Sequence, residues 1–196
     1  TYQLAGLTPL AFRIPNILFH LGTTWIVFSL VSFLATPAAA WVAAAIIAVH
    51  PVMTESVSWI SGGVYVQYAF FALLALYLYL RKFSAVAFVA FMLSLLSSEK
   101  AIPLALLFPL YEFSYGNFRK HIKQILPFVL PTGLFAIPYI FQIGKRTEAV
   151  QSVFYQNPGG IENPLIQIPL ALGTYLRLLF WPDQLTIYHT EWPRLS

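Results

Sequence analysis

The chain has 196 residues, of which 59% are hydrophobic and only 9% are charged, and its formal net charge is +4. A soluble domain carries about a quarter of its residues as charged side chains, so this composition excludes an ordinary soluble globular protein and predicts a polytopic membrane protein. The few cations lie in short polar segments, which is typical of membrane topology, and they do not indicate nucleic-acid binding. Cysteine is absent, which excludes disulfides and thiol chemistry.

Apolar runs bounded by turn and charge signals predict six membrane-embedded segments. Each is expected to be helical, because lipid cannot satisfy exposed backbone donors and acceptors. Their expected bounds are about Ile14–Leu34, Ala38–Val52, Val64–Leu80, Ser84–Leu96, Ala101–Tyr111 and Ile125–Ile143. The fourth and fifth runs are short against the about 20 residues of a full crossing, so they form either a tilted hairpin or a re-entrant pair. The predicted fold is an all-α transmembrane helical bundle, with residues 1–196 as one domain.

The sequence after the sixth run divides into a polar segment and a last apolar one. Gly144–Pro164 is polar and rich in Gly and Pro, so we expect an extramembrane loop. The apolar segment at about residues 164–181 either crosses the membrane or lies at its interface, with Tyr175 and Trp181 as aromatic anchors. The chain starts at Thr1 without a signal peptide, and we interpret it as an internal piece of a longer protein.

Six alternating spans sort the connecting segments onto two sides of the membrane. The basic clusters RK (81–82) and RKHIK (119–123) fall on one side. His50–Gly63, Ser97–Lys100 and Gly144–Pro164 fall together on the other. The compact basic clusters favour a cytoplasmic location for the first side, so the second side is expected to be extracytoplasmic.

Polar and ionisable residues concentrate on this second side, and such residues at the ends of apolar helices often mark functional sites. They are His50, Glu55, Glu99, Lys100, Lys145, Arg146 and Glu148, with Arg13 at the start of the first span. Two interpretations of the His50–Glu55 pair stay open: it binds a phosphate or sugar hydroxyl, or His50 only caps its helix before the turn at Pro51. Asn16 and His20 are four residues apart on one helix face, a pattern that favours interhelical hydrogen bonds.

The remaining charged pairs on this side also have two interpretations each. Glu99 and Lys100 form either part of a binding site or an ordinary solvated turn. Lys145 and Arg146 either clamp an anionic phosphate or extend their apolar stems along the membrane interface. Motifs of soluble active sites are missing from the sequence, including a nucleophile elbow, a Gly-rich phosphate loop and zinc-type His/Glu spacing.

Four stretches of the chain, in the same order, resemble segments of the transmembrane-and-tetratricopeptide-repeat proteins. They are FRIPNILFH (12–20), HPVMTESVSWISG (50–62), LSSEKAIPLALLFPLYEF (96–113) and YLRLLFWPDQLTIYH (175–189). That family consists of integral-membrane glycosyltransferases of the GT-C fold, related to protein O-mannosyltransferases. The chain departs from the family pattern at Met53, Gly63 and Ser98, where His, Arg and Lys respectively are common.

The resemblance implies that a sugar moves from a polyprenyl-phosphate carrier, a lipid-linked donor, to a protein or glycan acceptor at the extracytoplasmic face. It implies a location in a bacterial inner membrane or the endoplasmic reticulum. The polar positions that match the family are Asn16, His20, His50, Glu55, Glu99, Arg177 and Tyr188. Together with the charge pattern, this predicts a substrate-binding set of His50, Glu55, Glu99, Lys100, Arg146, Arg177 and Tyr188. The catalytic carboxylate of the family lies in a loop that would precede Thr1, so no catalytic residue is expected in this chain, and a divalent cation is an optional cofactor.

Two other classes of function compete with a glycosyltransferase. A transporter or flippase for a lipid-linked or anionic substrate is the alternative, but transporters usually carry their polar groups near the membrane midplane in repeated halves. Here the polar groups gather at one face, and no internal repeat is visible. A purely structural membrane subunit would explain the apolar spans but not the polar cluster.

Overall fold

The computed structural model describes residues 8–154 and 164–182, and every regular element within these ranges is helical. Two 3₁₀-helices, Ile60–Gly62 and Glu99–Leu106, interrupt the series of α-helices. The α-helices are α1 (Pro9–Leu34), α2 (Pro37–Val49), α3 (Met53–Ser58), α4 (Gly63–Leu80), α5 (Ser84–Ser97), α6 (Leu107–Ser114), α7 (Phe118–Phe154) and α8 (Pro164–Phe180). The all-α prediction is therefore confirmed for these residues.

Three helices in the described part of the chain are long and apolar enough to cross a membrane: α1, Ile60–Leu80 and the Phe118–Gln142 part of α7. The chain is thus indicated to be a membrane protein, but the predicted count of six spans is not confirmed. α2 and α5 have only 13 and 14 residues, or about 20 Å of helix each, against a hydrocarbon core about 30 Å thick.

Proline determines where three of the predicted segments differ from the observed helices. α1 begins at Pro9 rather than Ile14, because the first turn of a helix does not need the N–H that proline lacks; Arg13 therefore lies inside the helix. α2 ends at Val49 rather than Val52, since the residue before Pro51 disfavours helical geometry. The fifth run, with Pro103 inside it, forms the 3₁₀-helix Glu99–Leu106 and then α6 instead of one α-helix.

The predicted loop at Gly144–Pro164 is wrong in its first half. α7 continues through Gly144 to Phe154, for 37 residues in all, or about 55 Å. The segment from Gly144 to Phe154 is polar and contains no proline, and its polarity alone does not end the helix. Polarity marks where the apolar span ends, at Gln142, and not where the helix ends. Residues 155–163 lie outside the described part of the chain.

α4, α5, α6 and α7 meet in a core of aromatic rings. Phe108 and Phe128 stack with their ring centroids 4.0 Å apart, and Tyr79 and Phe91 pack edge-on against both rings. All four side chains are at most 2% exposed. Such close packing matters in a membrane, where helix association depends on van der Waals contact rather than on the hydrophobic effect.

The contacts between helices define two ends of the bundle. We call the first the polar end, formed by the segment from His50 to Gly63 and the turn from Ser97 to Lys100. These two segments are linked because the Lys100 ammonium lies over the ring of Tyr65, near the start of α4. We call the second the basic end, formed by the α4–α5 turn and the α6–α7 connection; these are linked through a hydrogen bond from Tyr79 to Glu112. The grouping of connecting segments expected from alternating spans is therefore present between these elements.

The α4–α5 turn holds Lys82 in a left-handed conformation, with φ of 66°. The N–H of Lys82 donates to the Tyr79 carbonyl and the N–H of Phe83 donates to the Leu78 carbonyl, which is the Schellman pattern that usually carries glycine at this position. A side chain with a Cβ is strained there, whereas glycine is not.

We therefore expect Lys82→Gly to raise the free energy of unfolding by about 1 kcal/mol. The measurement is unfolding of the full-length protein in mild detergent, followed by circular dichroism. Lys123→Gly, in the α-helical backbone of α7, is the matched control and should lower stability by about 1 kcal/mol. A loss of stability in Lys82→Gly would contradict the strained conformation.

Candidate functional site at the polar end

Asn16 fastens α1 to the segment that precedes α4. Its side chain is 3% exposed, and its Nδ2 donates to the carbonyl oxygens of Trp59 at 3.2 Å and Val57 at 3.5 Å. Gly63 lies against this amide, where an added Cβ would stand 2.5 Å from Asn16 Oδ1. Gly63 has no side chain, whereas the resembled family commonly has Arg at this position. The Asn16 amide can therefore pack directly against the Gly63 backbone.

His20 makes the second polar contact of α1. Its Nε2 lies 3.3 Å from the carbonyl oxygen of Ala48 near the end of α2, which is an interhelical hydrogen bond of the kind the sequence predicts for the Asn16–His20 face. The two residues therefore join α1 to both flanks of the His50 turn.

Both ring nitrogens of His50 are engaged by backbone groups. The Val52 N–H donates to Nδ1 at 3.2 Å, and Nε2 lies 2.8 Å from the carbonyl oxygen of Leu179 near the end of α8. Because Nδ1 accepts and a carbonyl can only accept, the proton of the neutral ring belongs on Nε2. His50 is also the residue that ends α2, so the capping interpretation is correct, and the same side chain holds α8 against the polar end.

Glu55 and Glu99 are exposed carboxylates at this end. Glu55 lies in the first turn of the short helix α3, and Glu99 begins the 3₁₀-helix. Within residues 8–154 and 164–182, neither carboxylate has a side-chain hydrogen bond or an ion pair. Both are therefore free to accept hydrogen bonds from hydroxyl groups of a ligand.

Lys100 supplies a cation next to Glu99. Its Nζ lies 4.1 Å from the centroid of the Tyr65 ring, a favourable cation–π distance, while the side chain stays exposed. Hydrogen bonding to Tyr65 raises the pKa of Lys100 above its ordinary value. The ammonium is therefore charged at neutral pH; Tyr65 holds it, and the Glu99 carboxylate adds a smaller electrostatic stabilisation.

The other predicted binding residues are less fully placed. Arg177 is exposed in the last turn of α8, two residues before the carbonyl that His50 contacts. Arg146 lies on the helical continuation of α7 together with Lys145 and Glu148, and only its backbone is described. Tyr188 lies outside the described residues. The structure thus brings His50 and the end of α8 together, and it places Glu55 and Lys100 on segments that flank the start of α4.

A divalent cation does not fit the residues of this end by themselves. Among the described residues, no group of three or more His, Asp or Glu side chains is close enough to hold a metal ion. A hard cation such as Mg²⁺ takes several oxygen ligands, and isolated exposed carboxylates do not supply them. We therefore derive no step through a metal.

Sequence reasoning missed a second polar cluster, at the basic end. Glu112 is 1% exposed, yet Tyr79 donates to its Oε1 at 2.8 Å, and its Oε2 accepts from the Asn117 N–H at 3.2 Å and contacts His121 Nδ1 at 2.6 Å. Gly116 leaves room for it, since a Cβ there would collide with Oε2. The available signal was the position of Glu112 and His121 on either side of one short turn.

Burial of the Glu112 carboxyl alone would raise its pKa, but the hydrogen bonds from His121, Tyr79 and Asn117 favour the ionised form. The net effect holds the pKa of Glu112 below its ordinary value. Every oxygen of this carboxylate is occupied, so the cluster joins α4, α6 and α7 and offers no free group to a ligand.

The polar end, in contrast, combines two exposed carboxylates with an exposed ammonium. Carboxylates accept hydrogen bonds from hydroxyls, and an ammonium pairs with phosphate as a point charge. This combination suits a ligand that carries both hydroxyls and a phosphate and approaches from the membrane surface. No protein-family model, curated protein or solved structure matches the chain.

Proposed function

We propose that this chain is part of a membrane glycosyltransferase of GT-C type, which moves a sugar from a polyprenyl-phosphate carrier to a protein or glycan acceptor at the extracytoplasmic face. One observation carries the proposal. The contacts of Asn16 and His20, of His50 with Leu179 and of Lys100 with Tyr65 join all four stretches that resemble that family to the polar end. These stretches are otherwise scattered over the chain from residue 12 to residue 189.

In the proposed site, the cation and the carboxylates bind different parts of the ligand. Lys100 neutralises the carrier phosphate, and Glu55 and Glu99 accept hydrogen bonds from sugar hydroxyls. His50 is a positioning residue, because its ring is used by Val52 and Leu179; it holds α8, and with it Arg177, beside the site. Arg146 and Tyr188 remain predicted members of the binding set on the strength of the sequence.

The resemblance implies that the reaction is an inverting displacement. The acceptor oxygen forms a bond to the anomeric carbon while the bond from that carbon to the carrier phosphate breaks. The phosphate leaves with the electron pair, and its developing charge is stabilised by the nearby ammonium. The acceptor proton goes to a carboxylate acting as general base, which the resemblance assigns to a loop preceding these residues.

The location of the polar end outside the cytoplasm is part of the same proposal. The five lysine and arginine residues of the basic end form two compact clusters, 81–82 and 119–123, whereas the cations at or near the polar end (Arg13, Lys100, Lys145, Arg146 and Arg177) are spread over four separate segments. Positively charged segments next to short loops are retained on the cytoplasmic side, so this distribution supports an extracytoplasmic polar end.

The test uses the full-length protein in proteoliposomes with polyprenyl-phosphate mannose as the donor probe. We expect Glu55→Gln to lower transfer about a hundredfold, since loss of a positioning contact can cost that much, and to leave membrane insertion and unfolding unchanged because the carboxylate is exposed and unpaired. His50→Ala is expected to lower both transfer and stability, because it removes two backbone contacts.

Lys100→Gln and Lys123→Gln form a matched pair for the same assay. Each removes one exposed ammonium, at the polar end and the basic end respectively, and only the first should impair transfer. Wild-type turnover in Glu55→Gln and Lys100→Gln would contradict the assigned site. Uptake of the lipid-linked donor into vesicles without transfer to an acceptor would instead support the transporter or flippase alternative.

A further inference from the structure

The basic end presents five cations to its surroundings. We define the basic patch as these exposed side chains: Arg81, Lys82, Arg119, Lys120 and Lys123. The first two belong to the α4–α5 turn, and the other three belong to the start of α7. In the sequence they are two separate clusters with 36 residues between them (83 to 118).

The hydrogen bonds of Glu112 with Tyr79, Asn117 and His121, which we call the Glu112 network, bring the two clusters to one place. Tyr79, two residues before Arg81, donates to Glu112 Oε1, while His121, the neighbour of Lys120, contacts Oε2 of the same carboxylate. One buried side chain therefore fixes the end of α4 to the start of α7. As a consequence, the turn that carries Arg81 and Lys82 lies beside the helical turn that carries Lys120 and Lys123.

The basic patch has no anionic partner within the described chain. None of its five side chains forms an ion pair there, and Arg81 lies over the Tyr77 ring at 5.8 Å. Glu112 is the acidic residue of this end in the described segments, and it is 1% exposed with both oxygens occupied. The cations therefore lack a partner that the described residues could supply.

Exposed aromatic side chains surround the basic patch. Phe83, Phe113 and Tyr115 are 58%, 81% and 70% exposed, and they flank the α4–α5 turn and the α6–α7 connection. Aromatic residues are enriched at the level of the lipid headgroups. Their presence beside unpaired cations places the basic patch at the depth of lipid phosphates rather than in bulk water.

We propose that the basic patch, assembled by the Glu112 network, binds the headgroup phosphates of anionic phospholipids in the leaflet that it faces. Charge complementarity carries this choice of partner: five cations, no accessible carboxylate beside them in the described chain and a rim of aromatic rings fit an anionic lipid surface. The inference does not depend on the proposed glycosyltransferase activity, because it concerns the opposite end of the bundle.

The test is a titration of the full-length protein, in nonionic detergent, with short-chain phosphatidylglycerol, followed by native mass spectrometry. Phosphatidylcholine is the zwitterionic probe, and inorganic phosphate tests whether a free anion suffices. We expect the wild type to prefer phosphatidylglycerol, and Arg119→Gln/Lys120→Gln/Lys123→Gln to weaken that binding about a hundredfold, at about fivefold for each cation removed. Added salt should weaken the binding of the wild type more than that of the variant.

Two further variants separate loss of binding from loss of structure. Arg13→Gln removes an exposed cation of α1 that belongs neither to the basic patch nor to the proposed binding site, and it should keep wild-type affinity. Lys82→Gly is expected to fold more stably and yet bind phosphatidylglycerol about fivefold more weakly, so it answers the question even if the triple variant does not fold. Equal binding of the two lipids by the wild type, full affinity in Lys82→Gly, or the same loss in Arg13→Gln would each overturn the proposal.

Discussion

Glu112→Ala should lower the free energy of unfolding by about 2–4 kcal/mol, because it leaves three donors of the basic end without their acceptor. The Tyr79 hydroxyl is buried, with a residue exposure of 2%, and a buried donor without a partner costs about 1–3 kcal/mol. His121 and the Asn117 N–H lose the same carboxylate, although both lie nearer to solvent. Removal of the side chain also leaves a cavity between α4, α6 and α7.

Two substitutions control this measurement, which is unfolding of the full-length protein in detergent followed by circular dichroism. Tyr79→Phe removes one donor and keeps the carboxylate, and we expect it to cost about 1–2 kcal/mol. Glu99→Gln removes an exposed carboxylate that makes no side-chain hydrogen bond or ion pair with the described residues, so its stability should stay within about 0.5 kcal/mol of wild type. An unchanged stability in Glu112→Ala would show that the network does not fasten these helices.

The same carboxylate makes stability depend on pH in a defined direction. The pKa of Glu112 is lowered in the folded protein, so its contribution is present above the unfolded value, about 4.3, and is lost as the pH falls through the lower folded value. We therefore expect wild type to lose stability below about pH 4.3 and Glu112→Gln to lose less over that window. Parallel pH profiles for the two proteins would contradict the lowered pKa.

The sequence predicts this fold best where charges or glycines bound an apolar run. The starts of α4 and α5 lie within one residue of their expected positions, because charges or glycines interrupt the apolar runs there. The fifth run differs from the single helix expected, because hydropathy does not distinguish the 3₁₀-helix Glu99–Leu106 from an α-helix. The continuation of α7 beyond Gly144 has a different reason: the end of an apolar run shows where a span ends, and a polar segment can continue the same helix.

The candidate site was predictable as a list of polar residues but not as a set of contacts. The apolar spans group His50 with Glu99 at one end, because alternate connecting segments share a side of the bundle. Nothing in the spacing indicates that His50 would bind a carbonyl 129 residues away, or that Tyr65 would hold Lys100. The Glu112 network was equally hidden, since a lone acidic residue at the end of an apolar run has the same pattern whether it is solvated or buried.

Gly63→Ala is expected to destabilise the protein by about 2–3 kcal/mol, because its Cβ would displace the Asn16 amide. Gly63 itself has helical backbone angles, with φ of −55° and ψ of −31°, so the backbone accepts alanine and the cost comes from the neighbour. Oδ1, Cγ and Nδ2 of Asn16 would all lie within 3.3 Å of the added Cβ. The amide must therefore move, which strains the packing and weakens its hydrogen bonds to Trp59 and Val57.

Gly133→Ala is the matched control, because a Cβ at that helical position meets no atom within 4 Å. It should be neutral or stabilising by up to about 1 kcal/mol, the difference in helix propensity. Asn16→Ala supplies the second control: it is destabilising by itself, but adding Gly63→Ala to it should cost nothing more, since the group that the Cβ would meet is gone. A full additional loss in the double variant would place the strain elsewhere than at the Asn16 amide.

The Gly63 variant also connects the packing of α1 to the proposed chemistry. Asn16 holds the carbonyls of Val57 and Trp59, and the first of these belongs to the short helix that carries Glu55. A displaced amide releases that helix, so transfer from polyprenyl-phosphate mannose should fall in Gly63→Ala by at least as much as in Asn16→Ala. The unfolding measurement tests the contact between Gly63 and the Asn16 amide independently of activity. A stable Gly63→Ala protein with full transfer would show that neither the fold nor the site depends on this glycine.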